Sequence, residues 1–124
     1  MNKSAKLAEL GQIAALLRDI ALQDLARARR DEAELSEALA ELRAAQHKAR
    51  ADAGADTATA RQNETYMRWA DIRRDSVMAS HARATDACDT CRAAAQSAVG
   101  RTDVLAKLLV RRAAVARATR MRNS

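Results

Sequence analysis

The sequence contains no proline and no phenylalanine, and Tyr66 and Trp69 are its only aromatic residues. Aromatic side chains supply much of the buried area of a compact core, so a thick globular core is not expected. With Gly11, Gly54 and Gly100 as the only glycines, the chain has very few helix breakers. It also lacks alternating runs of β-branched residues, which argues against strands.

Alanine dominates the apolar residues that are present. Of the 124 residues, 48% are hydrophobic, and 32 residues are alanine. Alanine is the best helix former but removes little apolar surface from water. The composition therefore predicts long helices that meet along a thin row of contacts.

Two segments have the spacing of a coiled coil, with one break between them. We predict an all-α fold, a long antiparallel two-helix coiled-coil hairpin in a single domain over 1–124. The first helix is expected at about 4–52, the turn at about 53–57 around Gly54, and the second helix at about 58–120, with an irregularity near Gly100. Asp56 or Thr57 is expected to cap the second helix.

The expected contact row of each helix follows spacings of three and four. In the first helix Glu32 interrupts the predicted row, and Ile13, Leu16 and Ile20 widen it. Its other members are Leu7, Leu10, Ala14, Leu17, Ala21, Leu25, Ala28, Leu35, Leu39 and Leu42. The predicted row of the second helix is Met67, Ala70, Arg74, Val77, His81, Ala84, Cys88, Cys91, Ala95, Ala98, Thr102, Leu105 and Leu109.

Folding back at Gly54 predicts that residues whose numbers sum to about 109 lie opposite each other. The acidic block of Asp31, Glu32, Glu34, Glu37 and Glu41 then faces the span with Arg68, Arg73 and Arg74. The same register places Asp24 near Arg83, Asp19 near Arg92, and Lys6 near Asp103. This complementarity favours the antiparallel arrangement.

Cys88 and Cys91 form a C-x-x-C pair, with His81 seven residues before them on the same face. Such a pair serves redox chemistry or zinc binding in other proteins. Here it lies in the middle of a helix, and the only other histidine, His47, is expected about 30 Å away along the helix axis. We interpret the cysteines as small residues of the contact row between the helices, which we call the seam, and we expect no metal and no cofactor.

Trp69 and Tyr66 lie three residues apart on one helical face. Packing across the seam is one interpretation, and an exposed anchor for a partner is the other. The sequence has neither a glycine-rich phosphate loop nor a Ser-His-Asp set, and an alanine-rich hairpin offers little interior for a pocket. We therefore expect no catalytic residues and no enzymatic activity.

Positive charge is concentrated near the end of the sequence. Residues 108–124 hold five arginines and no acidic residue, whereas 1–107 hold 17 basic and 16 acidic residues. Residues past about 108 are expected to project, so this end, with the first turns around Leu7–Leu17, is the predicted partner-binding region. The candidate partner-binding residues are Leu105, Leu109, Arg111, Arg112, Arg117, Arg120, Arg122 and Trp69.

Several of these features together resemble a known family. They are the opening helix "KLAELGQIAALLRDIALQDLARARRDEAELSEALAELRAAQ", a short turn, Arg68 with Trp69 early in the second helix, and the closing "LAKLLVRRAAVARATR". This layout resembles the FliJ family of flagellar export proteins and its virulence-secretion relatives. The resemblance implies a non-enzymatic coiled coil that forms the central stalk of a type III export ATPase ring, similar to the γ subunit of rotary ATPases.

The resemblance also implies the partners, which are the export ATPase ring, the membrane export gate and export chaperones. No apolar segment is long enough for a membrane span or a signal sequence, so we expect a cytoplasmic protein. A peripheral location at the inner face of the membrane is the alternative. It is expected to be a monomer or a weak homo-oligomer. The alternative functions are a nucleic-acid-associated coiled coil that uses the basic C-terminal tail, ranked second, and a generic scaffold.

Overall fold

A computed structural model describes residues 2–52 and 56–124, and this part of the chain forms two α-helices. Helix α1 is Asn2–Ala51 and helix α2 is Thr57–Asn123. The two helices pack against each other, and the described residues contain no strand, so the prediction of an all-α helical hairpin is confirmed. The predicted turn at Gly54 lies outside the described residues. Helix α2 continues through Gly100 without interruption.

The N-terminus of α2 is capped by Asp56, as its sequence predicts. The backbone N–H of Thr59 donates a 2.7 Å hydrogen bond to Oδ1 of Asp56. This bond satisfies one of the amide groups that have no partner at the start of a helix. The bonds from Thr59 stabilise the ionised carboxylate, so they hold the pKa of Asp56 below its ordinary value.

The chain divides into two compact units, each formed by one segment of α1 and one segment of α2. The turn unit is Arg27–Asp89, and the terminal unit is Met1–Ala26 with Thr90–Ser124. In both units the helices meet along a seam, by which we mean the row of buried and half-buried side chains between them. All thirteen seam positions predicted for α2 are buried or half-buried.

The seam of the turn unit contains polar contacts between the helices. Nε2 of Gln46, a buried residue of α1, donates a 2.9 Å hydrogen bond to Oδ1 of Asp71 on α2. Nδ2 of Asn63 donates a 3.1 Å hydrogen bond to the backbone oxygen of Ala49, one of the last four carbonyls of α1. Around these bonds the larger buried apolar side chains are Leu39 and Val77.

The seam of the terminal unit combines small residues with a few leucines, among them Leu25, Leu105 and Leu109. Gly11 and Arg18 of α1 are half-buried and Ala14 is buried, whereas Leu10 and Leu17 are exposed. The prediction that Leu10 and Leu17 lie on the seam is therefore wrong. The strict heptad that includes Leu25 passes through Arg18, Ala14 and Gly11, so these residues face α2 in place of Leu10 and Leu17. The guanidinium of Arg18 binds Asp19 at 3.2 Å, so the aliphatic stem of Arg18 is the part that packs.

The predicted register also needs correction. The contact between Gln46 and Asp71 gives a residue-number sum of 117, and the one between Asn63 and Ala49 gives 112. In the terminal unit, a Cβ atom added to Gly11 would lie 3.8 Å from Cδ1 of Leu109, which gives a sum of 120. The predicted sum of about 109 is wrong. One cause is that side chains lean toward the N-terminus of their own helix, and in an antiparallel pair this increases the sum.

Two of the arginines expected to face the acidic block instead form ion pairs within α2. Arg68 binds Glu64 at 2.7 Å, and Arg74 binds Asp71 at 3.4 Å and Asp75 at 3.6 Å. Because i,i+3 and i,i+4 partners are always near in a helix, local pairs can satisfy charges whatever the register. Charge complementarity is therefore weak evidence for the register of such a hairpin.

Candidate functional site

The C-terminal segment of α2 is exposed along its whole length. Every residue from Val110 to Ser124 is exposed, while Leu109, just before it, is half-buried near Gly11. The five arginines of the predicted binding region are all in this exposed segment. They are Arg111, Arg112, Arg117, Arg120 and Arg122.

The two leucines among the predicted binding residues have a different position. Leu105 and Leu109 are half-buried members of the seam, where they pack against α1. Leu105 also lines a groove at the surface of the terminal unit. These leucines therefore contribute to the fold first, and only Leu105 lines the groove.

Trp69 belongs to the turn unit, and 56% of its surface is exposed. Its ring centroid is 5.8 Å from that of the half-buried Tyr66, with the ring planes tilted by 35°. The two rings line a shallow groove of about 410 Å³ beside Leu42 of α1. Packing across the seam thus describes Tyr66, whereas most of Trp69 is accessible to a partner.

The C-x-x-C pair lies on the seam of α2. Cys88 is buried, Cys91 is half-buried, and His81 is half-buried on the same face. Within residues 2–52 and 56–124, no three His, Cys, Asp or Glu side chains are arranged to hold a metal ion. The positions of the two cysteines agree with their interpretation as small seam residues.

An apolar groove in the terminal unit lies in the predicted binding region around Leu7–Leu17, but Leu105 is the only one of its lining residues among the candidate binding residues. It has a volume of about 620 Å³, with Leu10, Ile13 and Leu17 of α1 on one wall and Val104 and Leu105 of α2 on the other. The sequence did contain a signal for it. Continuing the strict heptad back from Leu25 gives Arg18, Ala14 and Gly11, which leaves Leu10, Ile13 and Leu17 as a second apolar row on the same helix.

The net positive charge of the protein comes from the terminal unit. This unit holds 11 Lys and Arg against four Asp and Glu, a net charge of +7, and the turn unit holds 11 against 12, a net charge of −1. The exposed apolar groove and the exposed arginine segment are therefore parts of the same unit. Such a surface attracts a partner of negative charge.

None of the helical segments in the described residues is long and apolar enough to cross a membrane. Comparison with protein-family models, with curated proteins and with solved structures gives no match for this chain.

Proposed function

We propose that this protein is a non-enzymatic coiled-coil component of a flagellar or type III protein export apparatus, acting as the central stalk of its ATPase ring or as an adaptor to its export gate or chaperones. The observation that carries the proposal is the exposed segment 110–124 of α2, which presents five arginines and no acidic residue. A helical hairpin with one strongly basic, unpacked helix end suits insertion into a protein channel lined by acidic residues. Complementary charge speeds such docking, and apolar contacts then slow dissociation.

The test is binding to the export ATPase of the same organism. In the first variant Arg111, Arg112, Arg117 and Arg120 are replaced by glutamate, which has nearly the same helix propensity as arginine. We expect helicity to be retained and affinity for the ATPase to fall at least about tenfold. A titration of the purified proteins measures the affinity, and circular dichroism measures helicity.

A matched control separates the position of the charges from their number. Replacing four exposed arginines of the turn unit with glutamate, Arg29, Arg30, Arg43 and Arg61, changes the net charge by the same amount. This control is expected to bind the ATPase far better than the first variant does. Equal loss of affinity in both variants would show that only net charge matters, and it would contradict a stalk inserted by its basic end.

Nucleic-acid binding is the second candidate, and the net charge of +7 on the terminal unit favours it. That unit contains no aromatic residue on which bases could stack, because Tyr66 and Trp69 belong to the turn unit. Binding to duplex DNA is measured beside the ATPase titration at two salt concentrations, since phosphate contacts weaken steeply as salt rises. If the four-arginine variant loses only DNA binding and keeps ATPase binding, the nucleic-acid function replaces the stalk.

A further inference from the structure

Helix α1 carries a second apolar row beside its seam. Leu10, Ile13, Leu17 and Ile20 follow the spacing three, four, three, and their surfaces are 51%, 53%, 51% and 54% exposed. A two-helix hairpin buries one apolar row on each helix. In a bundle of three or more helices, each helix carries two apolar rows, one for each neighbouring helix. The terminal unit therefore has the sequence pattern of a bundle in which one face is uncovered.

Helix α2 provides the matching wall of the same groove. Val104 is exposed, and Leu105 and Arg101 lie beside it along the groove. Gly100 leaves additional room, because a Cβ atom added there would meet no other atom within 4 Å. Open space between two apolar rows is the shape that accepts the ridge of a third helix.

The length of the apolar row sets the size of the occupant. Leu10 and Ile20 are ten residues apart on one helix, which corresponds to a rise of about 15 Å. An occupant of about three to five helical turns would cover the row. This is the range of a single amphipathic helix that binds in a groove through residues spaced at i, i+3 and i+7.

The charges around the groove favour an acidic occupant. Arg101 lines the groove, and Lys107 and Arg111 line a shallow surface farther along α2. Asp103 is the only acidic residue that α2 contributes to the terminal unit, and α1 contributes Glu9, Asp19 and Asp24. A second copy of this unit would bring one net charge of +7 against another, so like-charge repulsion opposes self-association through the groove.

The arginine segment does not form the amphipathic helix that binds a lipid surface. At about 100° per residue, Arg117 and Arg120 lie on the side of α2 opposite to Arg111 and Arg122, and Arg112 lies between these two sides. The apolar row between them, Val110, Ala114, Ala118 and Met121, is narrow and half alanine, so it offers little apolar area to bury in a membrane. The concave groove likewise fits a helix better than a flat bilayer.

We propose that the groove of the terminal unit binds an acidic amphipathic helix of a partner protein and completes a three-helix bundle with it. The apolar side of that helix packs on Leu10, Ile13, Leu17 and Val104, and its flanking carboxylates lie near Arg101 and Lys107. This inference goes beyond the export function, because it applies to any partner that presents such a helix.

The probe for this proposal is a fluorescently labelled synthetic peptide of about 18 residues, or five helical turns. It carries leucine at the positions of one face and glutamate at the positions that flank them. The control peptide has lysine in place of every glutamate. We expect fluorescence anisotropy to show that the full-length protein binds the glutamate peptide at least about tenfold more tightly than the lysine peptide.

Two single variants test the walls of the groove separately. Ile13→Gln changes the α1 wall and Val104→Gln changes the α2 wall, and each is expected to weaken binding of the glutamate peptide about tenfold. Both side chains are more than half exposed, so the fold should be retained. Ile72→Gln is the matched control, because Ile72 is 74% exposed on α2 in the turn unit, and it should bind like the parent.

Four outcomes would overturn the proposal. Equal binding of the two peptides, or loss of binding in none of the groove variants, would remove the acidic helix as the occupant. A parent protein that sediments as a dimer and becomes a monomer in Ile13→Gln would assign the groove to a second copy. Binding to vesicles of anionic phospholipid, without binding to the glutamate peptide, would assign the surface to lipid.

The ATPase experiment and this one can fail independently. The four-arginine variant leaves Ile13, Val104, Arg101 and Lys107 unchanged, and the glutamine variants leave all five arginines of residues 111–122 unchanged. Loss of peptide binding with intact ATPase binding would contradict only the groove proposal. The reverse result would contradict only the export function.

Discussion

The side-chain amide of Gln46 donates a 2.9 Å hydrogen bond to the carboxylate of Asp71, and this bond joins α1 to α2 within the turn unit. Gln46 is buried, and the same Asp71 oxygen accepts a second, 3.4 Å contact from Arg74. The buried amide of Gln46 reaches the half-exposed Asp71 only when the two helices meet in the correct register. We therefore interpret Gln46 as the residue that fixes the register in this unit.

Gln46→Ala is expected to lower the free energy of unfolding by about 1–2 kcal/mol, because it removes a partly buried hydrogen bond and leaves a small cavity in place of a buried side chain. Urea unfolding followed by circular dichroism measures the change. Gln23→Ala, at an exposed position of the same helix, is the control and should change stability by less than about 0.5 kcal/mol. Equal stability of Gln46→Ala and Gln23→Ala would show that the bond contributes nothing.

The cap at Asp56 predicts a pH dependence whose direction follows from its lowered pKa. The folded pKa is below the ordinary value of 3.8, so the unfolded chain takes up the proton more readily. The contribution of Asp56 to stability is therefore full above the ordinary pKa, and it is lost as the pH falls through the lowered one.

Two variants at this position isolate the effect in melting experiments from neutral to acidic pH. Asp56→Ala should melt below the parent at neutral pH, and the difference should shrink in acid. Asp56→Asn keeps a capping side chain that does not titrate, so its difference from the parent should be small at neutral pH. If Asp56→Ala melts below the parent by the same amount at every pH, the carboxylate is not responsible.

Gly100 lies inside α2 with open space where a Cβ atom would be. Gly100→Ala is expected to stabilise the protein by about 0.5–1 kcal/mol, because it lowers the conformational entropy of the unfolded chain without a clash. Gly11→Ala should also be tolerated, since its Cβ would lie at ordinary van der Waals distance from Leu109. A lower melting temperature for Gly100→Ala would mean that α2 does not run straight through this position as a helix.

The two cysteines should differ in reactivity, because Cys88 is buried and Cys91 is half-buried. A thiol reagent is expected to modify Cys91 in the folded protein well before Cys88, and the double replacement by alanine should keep the helicity. The buried replacement should cost about 1 kcal/mol, as for the loss of one buried heavy atom. A metal that co-purifies with the protein, and whose removal lowers helicity, would contradict the interpretation of these cysteines as seam residues.

In this alanine-rich hairpin, the spacing of apolar residues predicts the seam of α2 correctly and the seam of α1 only in part. The seam of α2 was predicted correctly because its heptad is strict. The cap at Asp56 was predicted correctly because aspartate is a preferred residue at the start of a helix. In α1 the predicted row passes through Leu10 and Leu17, whereas the half-buried residues are their neighbours Gly11 and Arg18. Gly11 and Arg18 belong to the strict heptad that includes Leu25, so following that spacing rather than the leucines gives the observed row.

The register and the groove could not be predicted from the charges. Arg68 and Arg74 find acidic partners within α2, so their attraction does not select a residue of α1. The predicted row of α1 ends at Leu42, so it omits Gln46, which follows at the expected spacing of four. The groove depends on which of two apolar rows α2 covers, and that choice is decided by the packing of both helices together.

The most direct test of this account is a crosslink between Gly11 and Leu109, because their contact determines which row of α1 faces outward. In a background with Cys88→Ala and Cys91→Ala, Gly11→Cys is combined either with Leu109→Cys or with Ala98→Cys. Position 98 is the partner under the rejected sum of 109, and it lies about 16 Å from 109 along the helix. A short bifunctional thiol reagent should link 11 to 109 rapidly within one chain and leave 11 and 98 unlinked. Rapid linkage of 11 to 98, with none to 109, would contradict the register and with it the outward-facing row of Leu10, Ile13 and Leu17.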